Sequence, residues 1–504
     1  MDMITPLFRT LSAPRLRQLR NYKEIPDLLQ ANQLRRVMER LSSTRYGFAH
    51  SIYADSGYRE FRERVPVVTY EDIAAEIREM LMGGSNILIP GRCLWFSKSS
   101  GTTNAKSKYL PVPDDHLRDC HYRGGMDTVR IYLQNNPESN FFSHKGYSLT
   151  GSFDEHNFAP DVHTGDLSAI LIERMPALGQ VVRTPAKELL LLDRWEEKLD
   201  RISDALIRED VGNLSGVPSW MLHVVKESMR KANVSVATDM WRNLEVFFHG
   251  GIAFDNYRPE YRHILGEGVR YMETYNASEG FFGIQDDPED RSLLLMLDYG
   301  IYYEFIPMSD FNEGSRDAIP LTQVQEGVNY AMVTSTLGGL YRYLIGDTVK
   351  FTSTEPYKFI ITGRTKAFIN AFGEELMVTN ADTALAIVGE RLGFKVNEYS
   401  AGPVFMTDKG QGYHHWVLEL EGNAHTPQIL AEALDRELRI LNSDYDAKRQ
   451  SDISLQMPVV EVVSPGTFYN WMERHSKLGG QHKVPRLSKD THIVDQLLEI
   501  AKGK

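Results

Sequence analysis

Apolar residues in this chain recur at two different periods, and the two alternate from one end to the other. Ile73, Ile77, Met80 and Leu81 stand at i, i+4, i+7 and i+8, the stripe of an amphipathic helix. Thr69 lies three residues before Asp72, the spacing at which two such residues cap each other's backbone amides. The pattern predicts a helix over 71–81. A second helix is predicted over 427–441, where Thr426 and Pro427 read as N-cap and first helical residue. Leu430, Leu434, Leu438 and Leu441 share one of its faces. Just before it, Trp416, Leu418 and Leu420 alternate with Glu419 and Glu421, which predicts a half-buried strand. Phe359 and Ile361 form a similar short run that ends at Gly363.

Helix and strand patterns interleave throughout, without internal repeat or low-complexity tract, and this predicts an α/β fold. At 504 residues the chain exceeds what one core ordinarily holds. After Gly363-Arg364 the text becomes strand, helix, strand, with less Gly and Pro, so the domain boundary is placed at 363–366. The expectation is a large N-terminal domain, 1–363, built of β-sheet and helix subdomains, and a small α+β C-terminal domain, 364–504.

Composition narrows the classes. Lys and Arg number 56 and Asp and Glu 68, a net charge of −12, which disfavours a nucleic-acid protein because phosphate backbones attract basic surfaces. Two cysteines, Cys93 and Cys120, make neither a disulfide framework nor a four-thiolate zinc site, and point to a reducing, cytoplasmic compartment. The apolar runs at 189–192 and 293–297 are too short to cross a bilayer. Arg9, Arg15, Arg17 and Arg20 give the N-terminus a faint resemblance to a transit peptide, against which Asp2 and the lack of a Ser-rich stretch count. No nucleic-acid or membrane partner is expected, and a monomer is the default.

Five segments carry candidate chemistry. Ser97-Lys98-Ser99-Ser100-Gly101-Thr102-Thr103-Asn104-Ala105-Lys106-Ser107-Lys108 packs hydroxyls, a glycine and three lysines into twelve positions. It is either a flexible polar loop or a polyphosphate cradle of amides, hydroxyls and ammonium, but it lacks P-loop spacing. In Tyr275-Asn276-Ala277-Ser278-Glu279-Gly280 a hydroxyl beside a carboxylate suits a hydrated Mg²⁺, with the tyrosine ring available to stack on a flat base; a capped turn is the plainer reading. Asp347, just beyond Gly346, is placed to accept two ribose hydroxyls, or is a β-turn aspartate. Gly363-Arg364-Thr365-Lys366 follows 16 residues later and offers a charged fork, or a surface turn. Lys483, after Gly479-Gly480, could be swung toward developing phosphate charge, or belong to a solvated basic tail. His414-His415 lacks the spacing of a helical zinc site and is assigned to a strand surface. Neither a Gly-x-Ser-x-Gly elbow nor a Gly-x-Gly-x-x-Gly turn occurs.

The order of these segments resembles the adenylate-forming enzyme superfamily and, more closely, the auxin-responsive acyl-acid amido synthetases. The matching runs are Ser99-Ser100-Gly101-Thr102, Tyr275 to Glu279, Tyr343 to Asp347 and Gln481 to Arg486, with Val65-Pro66-Val67 and Tyr70-Glu71-Asp72 upstream. The resemblance runs from about residue 25 to 490 and is specific as an ordered series. It implies that Ser100, Gly101, Thr102, Thr103 and Lys108 cradle ATP phosphates and that Gly250, Gly251 and Tyr275 flank adenine. Ser278 would join the nucleotide site and Glu279 would hold Mg²⁺. Asp347 would bind ribose, Arg364 ribose or α-phosphate, and Lys366 would sit at the hinge. Lys483 would enter from a mobile C-terminal domain to stabilise charge during adenylation. Asn104-Ala105 stands where related loops have a second glycine, and Lys106 competes with Lys108 for the loop-lysine role.

The implied reaction is ATP-dependent activation of a carboxylic acid as its adenylate, then acyl transfer to an amine, in particular an amino acid. A coenzyme A ligase using a thiol acceptor, or a non-catalytic nucleotide-binding protein, are the alternatives. The acid pocket is expected among Tyr122, Arg123, Phe153, Arg174 and Met175 and around Phe281-Phe282.

Overall fold

The computed structural model describes residues 2–503 apart from 100–107, 155–157, 253, 255–256, 313, 366–367, 407–410, 424, 451–453 and 476–483. The large unit is built on strands β1 (Trp95–Ser99), β2 (Lys108–Pro111), β3 (Lys145–Ser148), β4 (His163–Asp166), β5 (Val211–Gly216), β6 (Val246–His249) and β7 (Arg270–Ala277). It continues through β8 (Gly280–Ile284), β9 (Leu293–Leu295), β10 (Ile301–Pro307), β11 (Ile319–Pro320), β12 (Asn329–Thr336), β13 (Tyr343–Thr354) and β14 (Tyr357–Arg364). Eleven of these form one sheet, in the order β11-β10-β12-β13-β14-β9-β8-β7-β6-β5-β3. From β11 to β7 every pairing is antiparallel; from β7 to β3 every pairing is parallel. A separate three-stranded sheet pairs β2, β1 and β4.

The change of direction at β7 divides the core. Strand β6 is buried along its whole length, as parallel strands covered on both faces are. Its Val246 and Phe248 join the cluster that fills the antiparallel half, while Phe247 joins the cluster under helices Trp195–Leu206 and Pro218–Ala232. The first predicted helix is present as Tyr70–Leu81, with Asp72 Oδ2 accepting from Thr69 N at 2.7 Å and Ile73, Ile77, Met80 and Leu81 buried. Ahead of it, Val65-Pro66-Val67 is bolted to the sheet. Arg342 donates to the carbonyls of Arg62 and Val65, both at 2.9 Å, and pairs with Glu304 at 2.9 Å. Both partners of that pair are buried, so losing one would cost about 3–5 kcal/mol, far more than losing an exposed pair such as Arg59–Glu63.

Arg9 and Arg15 of the N-terminal helix Ile4–Arg20 are used within the fold. Arg9 donates to Asn136 O at 2.8 Å, and Arg15 pairs with Asp127 and Asp298 at 2.7 and 2.5 Å.

Beyond β14 the chain forms β15 (Phe368–Ile369), β16 (Leu376–Met377), β17 (Phe394–Met406), β18 (Gln411–Gly422) and β19 (Val459–Val463), with β18 central between β17 and β19. Helix Pro427–Leu441 is capped by Thr426 Oγ1, which accepts from Ile429 N, and it buries Leu430, Leu434 and Leu438. The predicted half-buried strand at 416–421 is corrected. Trp416 and Leu418 face one apolar cluster while Val417 faces a second under helix His492–Ala501, so β18 is covered on both sides. His414 is corrected too: it is fully buried, with Nε2 at 2.7 Å from Glu374, and His415 reaches Glu461 at 3.0 Å. Among the described residues no helix is long and apolar enough to cross a membrane.

His249, at the end of β6, stacks on Phe254 at 3.9 Å, and its ring nitrogens have no hydrogen-bond partner among the described residues. Burial pushes its imidazole down to about 3. Above its ordinary range neither the folded nor the unfolded state carries the proton. As pH falls from 6.5, the unfolded chain takes up a proton that the folded chain refuses, and stability drops by about 1.4 kcal/mol per pH unit. His249→Phe, which keeps the stacked ring, should remove that contribution. Urea unfolding at pH 6, 5 and 4 should show a shallower acid loss in the variant by about this slope, and identical slopes would refute the assignment.

Candidate active site

The candidate residues are delivered by strand ends around the β7 switch. Ser278 and Glu279 occupy the two-residue turn between β7 and β8, where Ala277 pairs with Gly280. Asp347 on β13 lies directly opposite Arg364 on β14. Arg364 Nε meets Asp347 Oδ1 at 2.8 Å, and Nη2 of Arg364 meets Glu375 Oε1 at 3.2 Å. Tyr275 Oη donates a short hydrogen bond to the other oxygen, Asp347 Oδ2. Gly346, with φ +98°, makes the kink before Asp347, and its carbonyl accepts from Thr365 N at 2.8 Å.

Lys108 opens β2 and is buried, with Nζ 5.6 Å from the Tyr70 ring. Tyr70 Oη in turn accepts from Tyr109 N at 3.1 Å. Burial pushes the Glu279 carboxyl up to about 7, and the nearby Lys108 ammonium pulls it partly back. The same burial lowers Lys108. Gly250 and Gly251 follow β6. A Cβ on Gly250 would lie 2.2 Å from Thr274 O, so only glycine lets the chain cross the end of β7 there.

Lys108, Gly250, Gly251, Tyr275, Ser278, Glu279, Asp347 and Arg364 all border one cleft of about 2020 Å³. Ser100, Gly101, Thr102, Thr103, Lys366 and Lys483 lie outside the described residues. The strand residues flanking the 100–107 segment, Ser99 and Lys108, are paired neighbours on the cleft wall. Tyr275 departs from its expected part as a stacking platform. Its ring is only 6 % exposed, packs against Phe282 at 4.9 Å and Phe359 at 6.2 Å, and positions Asp347 through its hydroxyl.

The whole extent of the chain can be set against known families. The GH3 family N-terminal domain matches residues 15–269, the central domain 294–364 and the C-terminal domain 377–492. The chain belongs to the GH3 family. Among its relatives are the indole-3-acetic acid-amido synthetase GH3.3 of Arabidopsis thaliana, 24 % identical over 98 % of this chain and 95 % of that protein, and the jasmonoyl–L-amino acid synthetase GH3.5 of Oryza sativa subsp. japonica, 24 % identical over 91 % of each. The fold is shared with AtGH3.15 acyl acid amido synthetase in complex with 2,4-DB, at a TM-score of 0.62 and 17 % identity over 96 % of this chain and 95 % of that one. It is shared also with 2-hydroxyisobutyryl-CoA ligase in complex with 2-HIB-AMP and CoA, at a TM-score of 0.57 and 14 % identity over 95 % and 93 %.

Residues that pattern reasoning missed hold the hairpin of this GH3 chain in place. A π-helical turn, Leu117–Tyr122, lies against it. Cys120 Sγ accepts from Phe281 N at 3.1 Å, and His121 Nδ1 meets Asn276 Oδ1 at 2.8 Å. A Cβ on Gly124 would meet the Phe281 ring at 2.4 Å. The one available signal was the pair of small residues Gly124-Gly125 inside an otherwise helical stretch. Lys448 was also missed. It comes from the C-terminal part of the chain, yet its Nζ sits 3.9 Å from the centre of the Trp220 ring, and burial holds it down to about 8.

The expected acid pocket is corrected in part. Tyr122, Met175 and Phe281 border the cleft. Arg123 is tied to Asp298 at 2.7 Å and Arg174 to Asp114 at 2.8 Å, while Phe153 packs on Trp95. These three are consumed by packing and ion pairing.

Gly250→Ala should destabilise the protein by about 1–3 kcal/mol, the usual cost of forcing a methyl into filled space. Denaturant midpoints of the variant and the parent measure it. An unchanged midpoint would contradict the close approach to Thr274.

Proposed function

We propose that the protein is an ATP-dependent ligase that adenylates a carboxylic acid and transfers the acyl group to the amine of an amino acid. The observation that carries this reading is the meeting of Glu279, Asp347 and Arg364 from separate parts of the sheet on one cleft, in a chain matched by GH3 domains over most of its length. In the first step a carboxylate oxygen bonds to the α-phosphorus of ATP, the bond to the β-phosphate breaks, and pyrophosphate leaves. In the second, the amine nitrogen bonds to the acyl carbon, the acyl–phosphate C–O bond breaks, AMP leaves, and the nitrogen gives up a proton.

The chain's part is alignment and charge. Asp347 accepts the ribose hydroxyls, held by Arg364 and Tyr275 so that both its oxygens are oriented before nucleotide arrives. Arg364 and Lys108 are fixed cations beside the phosphates, where a low-dielectric cleft strengthens them. The segment 100–107 supplies amides and hydroxyls to the same phosphates. Glu279 fits Mg²⁺: it is a buried carboxylate on a turn, with no ion pair within 4 Å among the described residues, and Mg²⁺ sites commonly combine one or two carboxylates with substrate phosphates. When bound, the ion would neutralise charge on the polyphosphate. Lys483 completes the cation set from the C-terminal domain, 364–504, which rotates relative to 1–363 so that the amine can enter after adenylation. Cytoplasmic, monomeric operation belongs to the same reading.

Acid-dependent release of pyrophosphate, followed by amide formation with amino acids, tests the proposal. Thioester with coenzyme A and no amide would favour the thiol-acceptor alternative. ATP-induced thermal stabilisation, with no pyrophosphate from a broad panel of acids, would leave a non-catalytic nucleotide binder. Asp347→Asn should raise KM for ATP about 10- to 100-fold while changing kcat less, as loss of a charged acceptor to a bound hydroxyl does. A fall in kcat alone would contradict the ribose role. Lys483→Ala should cut pyrophosphate release by about 10²–10³ with ATP binding retained. An unchanged rate would remove that lysine from the mechanism.

A further inference from the structure

Several buried or half-buried arginines in this protein are neutralised by carboxylates. Arg15 has Asp127 and Asp298, Arg342 has Glu304, Arg364 has Asp347 and Glu375, and Arg449 has Asp435. Arg183 is different. Its guanidinium borders the cleft, donates a short hydrogen bond to Ser148 Oγ on β3, and meets no carboxylate among the described residues. Among the described residues, the charged or titratable group acting on it is the Tyr122 phenol, whose hydroxyl is already committed to Leu171 O at 2.9 Å. Burial accordingly draws the Arg183 guanidinium down to about 10. An unneutralised cation in such a place is costly and calls for a counter-charge.

The side chain is not needed to hold its own segment. Main-chain bonds do that: Gly146 N donates to Val182 O at 2.9 Å, and Thr184 N to Gly146 O at 3.0 Å. The cleft it borders carries apolar residues, among them Met126, Val129, Leu171, Met175 and Val182. A cation with a hydroxyl partner in a partly apolar cleft suits a ligand oriented by an anionic group. Its position says which ligand. Strand β3 is three strands from β7 in the sheet order, about 14 Å at the usual strand spacing. The reacting carboxyl must lie near the Ser278–Glu279 turn at the end of β7. The carboxylate of an α-amino acid acceptor is two bonds from the attacking nitrogen and cannot span that distance, whereas the far end of an extended acid can.

We propose that Arg183 and Ser148 form a subsite for a second carboxylate at the distal end of the acid substrate, so that the preferred acyl donors are elongated dicarboxylic acids. This deepens the proposed function and rests on its placing of the acid in this cleft.

The test is calorimetric binding of matched pairs, octanoate with suberate and dodecanoate with dodecanedioate, to the full chain without nucleotide, so that no turnover is required. The expected result is a diacid bound about tenfold or more tighter than its monoacid partner in at least one pair. Arg183→Met should abolish that difference and Arg183→Lys should restore part of it. The thermal midpoint of ligand-free Arg183→Met should equal or exceed the parent's, because an unneutralised charge has been removed; a clear fall would mark a structural arginine and overturn the subsite. Equal affinities in both pairs, no binding by either diacid, or a preference that survives in Arg183→Met would overturn it as well. So would an Arg183 effect on the KM of the amino acid with acid binding unchanged. Pyrophosphate release keeps the two claims separable. Arg183-dependent diacid binding without release sinks adenylation and leaves the subsite standing; release driven equally well by monoacids sinks the subsite and leaves adenylation standing.

Discussion

Asp347 and Arg364 face each other across two antiparallel strands, and the rest of the cleft is organised around that pair. Direct cross-strand opposition fixes the separation of the two side chains more tightly than any loop could. The remaining Asp347 oxygen is held by Tyr275 Oη, 72 residues earlier in the chain, and the far side of Arg364 reaches Glu375 beyond the last strand of the sheet. Three segments are therefore registered to one another by a single carboxylate and a single guanidinium. That registration costs little, because each charge lies beside its opposite in the ligand-free protein.

Charge burial in the cleft is compensated to different degrees. Cations and carboxylates are set close enough to compensate, as with Asp347 and Arg364, and more loosely with Lys108 and Glu279. Glu279 keeps its carboxyl high because its compensation is incomplete, and a bound cation would complete it. Arg183 has no carboxylate at all among the described residues. Glu279 and Arg183 are the two places that the proposed ligands would complete.

The cleft lies beside β7, where parallel pairing gives way to antiparallel pairing. The β7–β8 hairpin carries Ser278 and Glu279 to that point and is steadied from behind by Cys120, His121 and Gly124. Across the cleft, the two parts of the chain meet through Lys448 on the Trp220 ring, His223 with Ser454 at 2.9 Å, Tyr257 Oη donating to Ala371 O at 2.7 Å, and Phe405 packed edge-on to the Tyr257 ring.

Local periodicity and motif order made a large part of this legible in the sequence. The helices at 70–81 and 427–441 follow from capping residues and apolar stripes a few positions apart. The nucleotide-site candidates follow from the order of motifs that resembles a known family; every one of them within the described residues borders the same cleft. What the sequence could not determine is which charges are already spent. Arg123 and Asp298 stand 175 residues apart, and nothing local distinguishes Arg123, consumed by an ion pair, from Arg183, left facing a cavity. The same holds for β18, whose alternating pattern looks half-exposed until a second cluster covers its other face, and for Tyr275, whose ring is enclosed by residues from two other strands. Periodicity is a property of neighbours along the chain, whereas burial and charge compensation are properties of neighbours in space, and only the folded structure decides those.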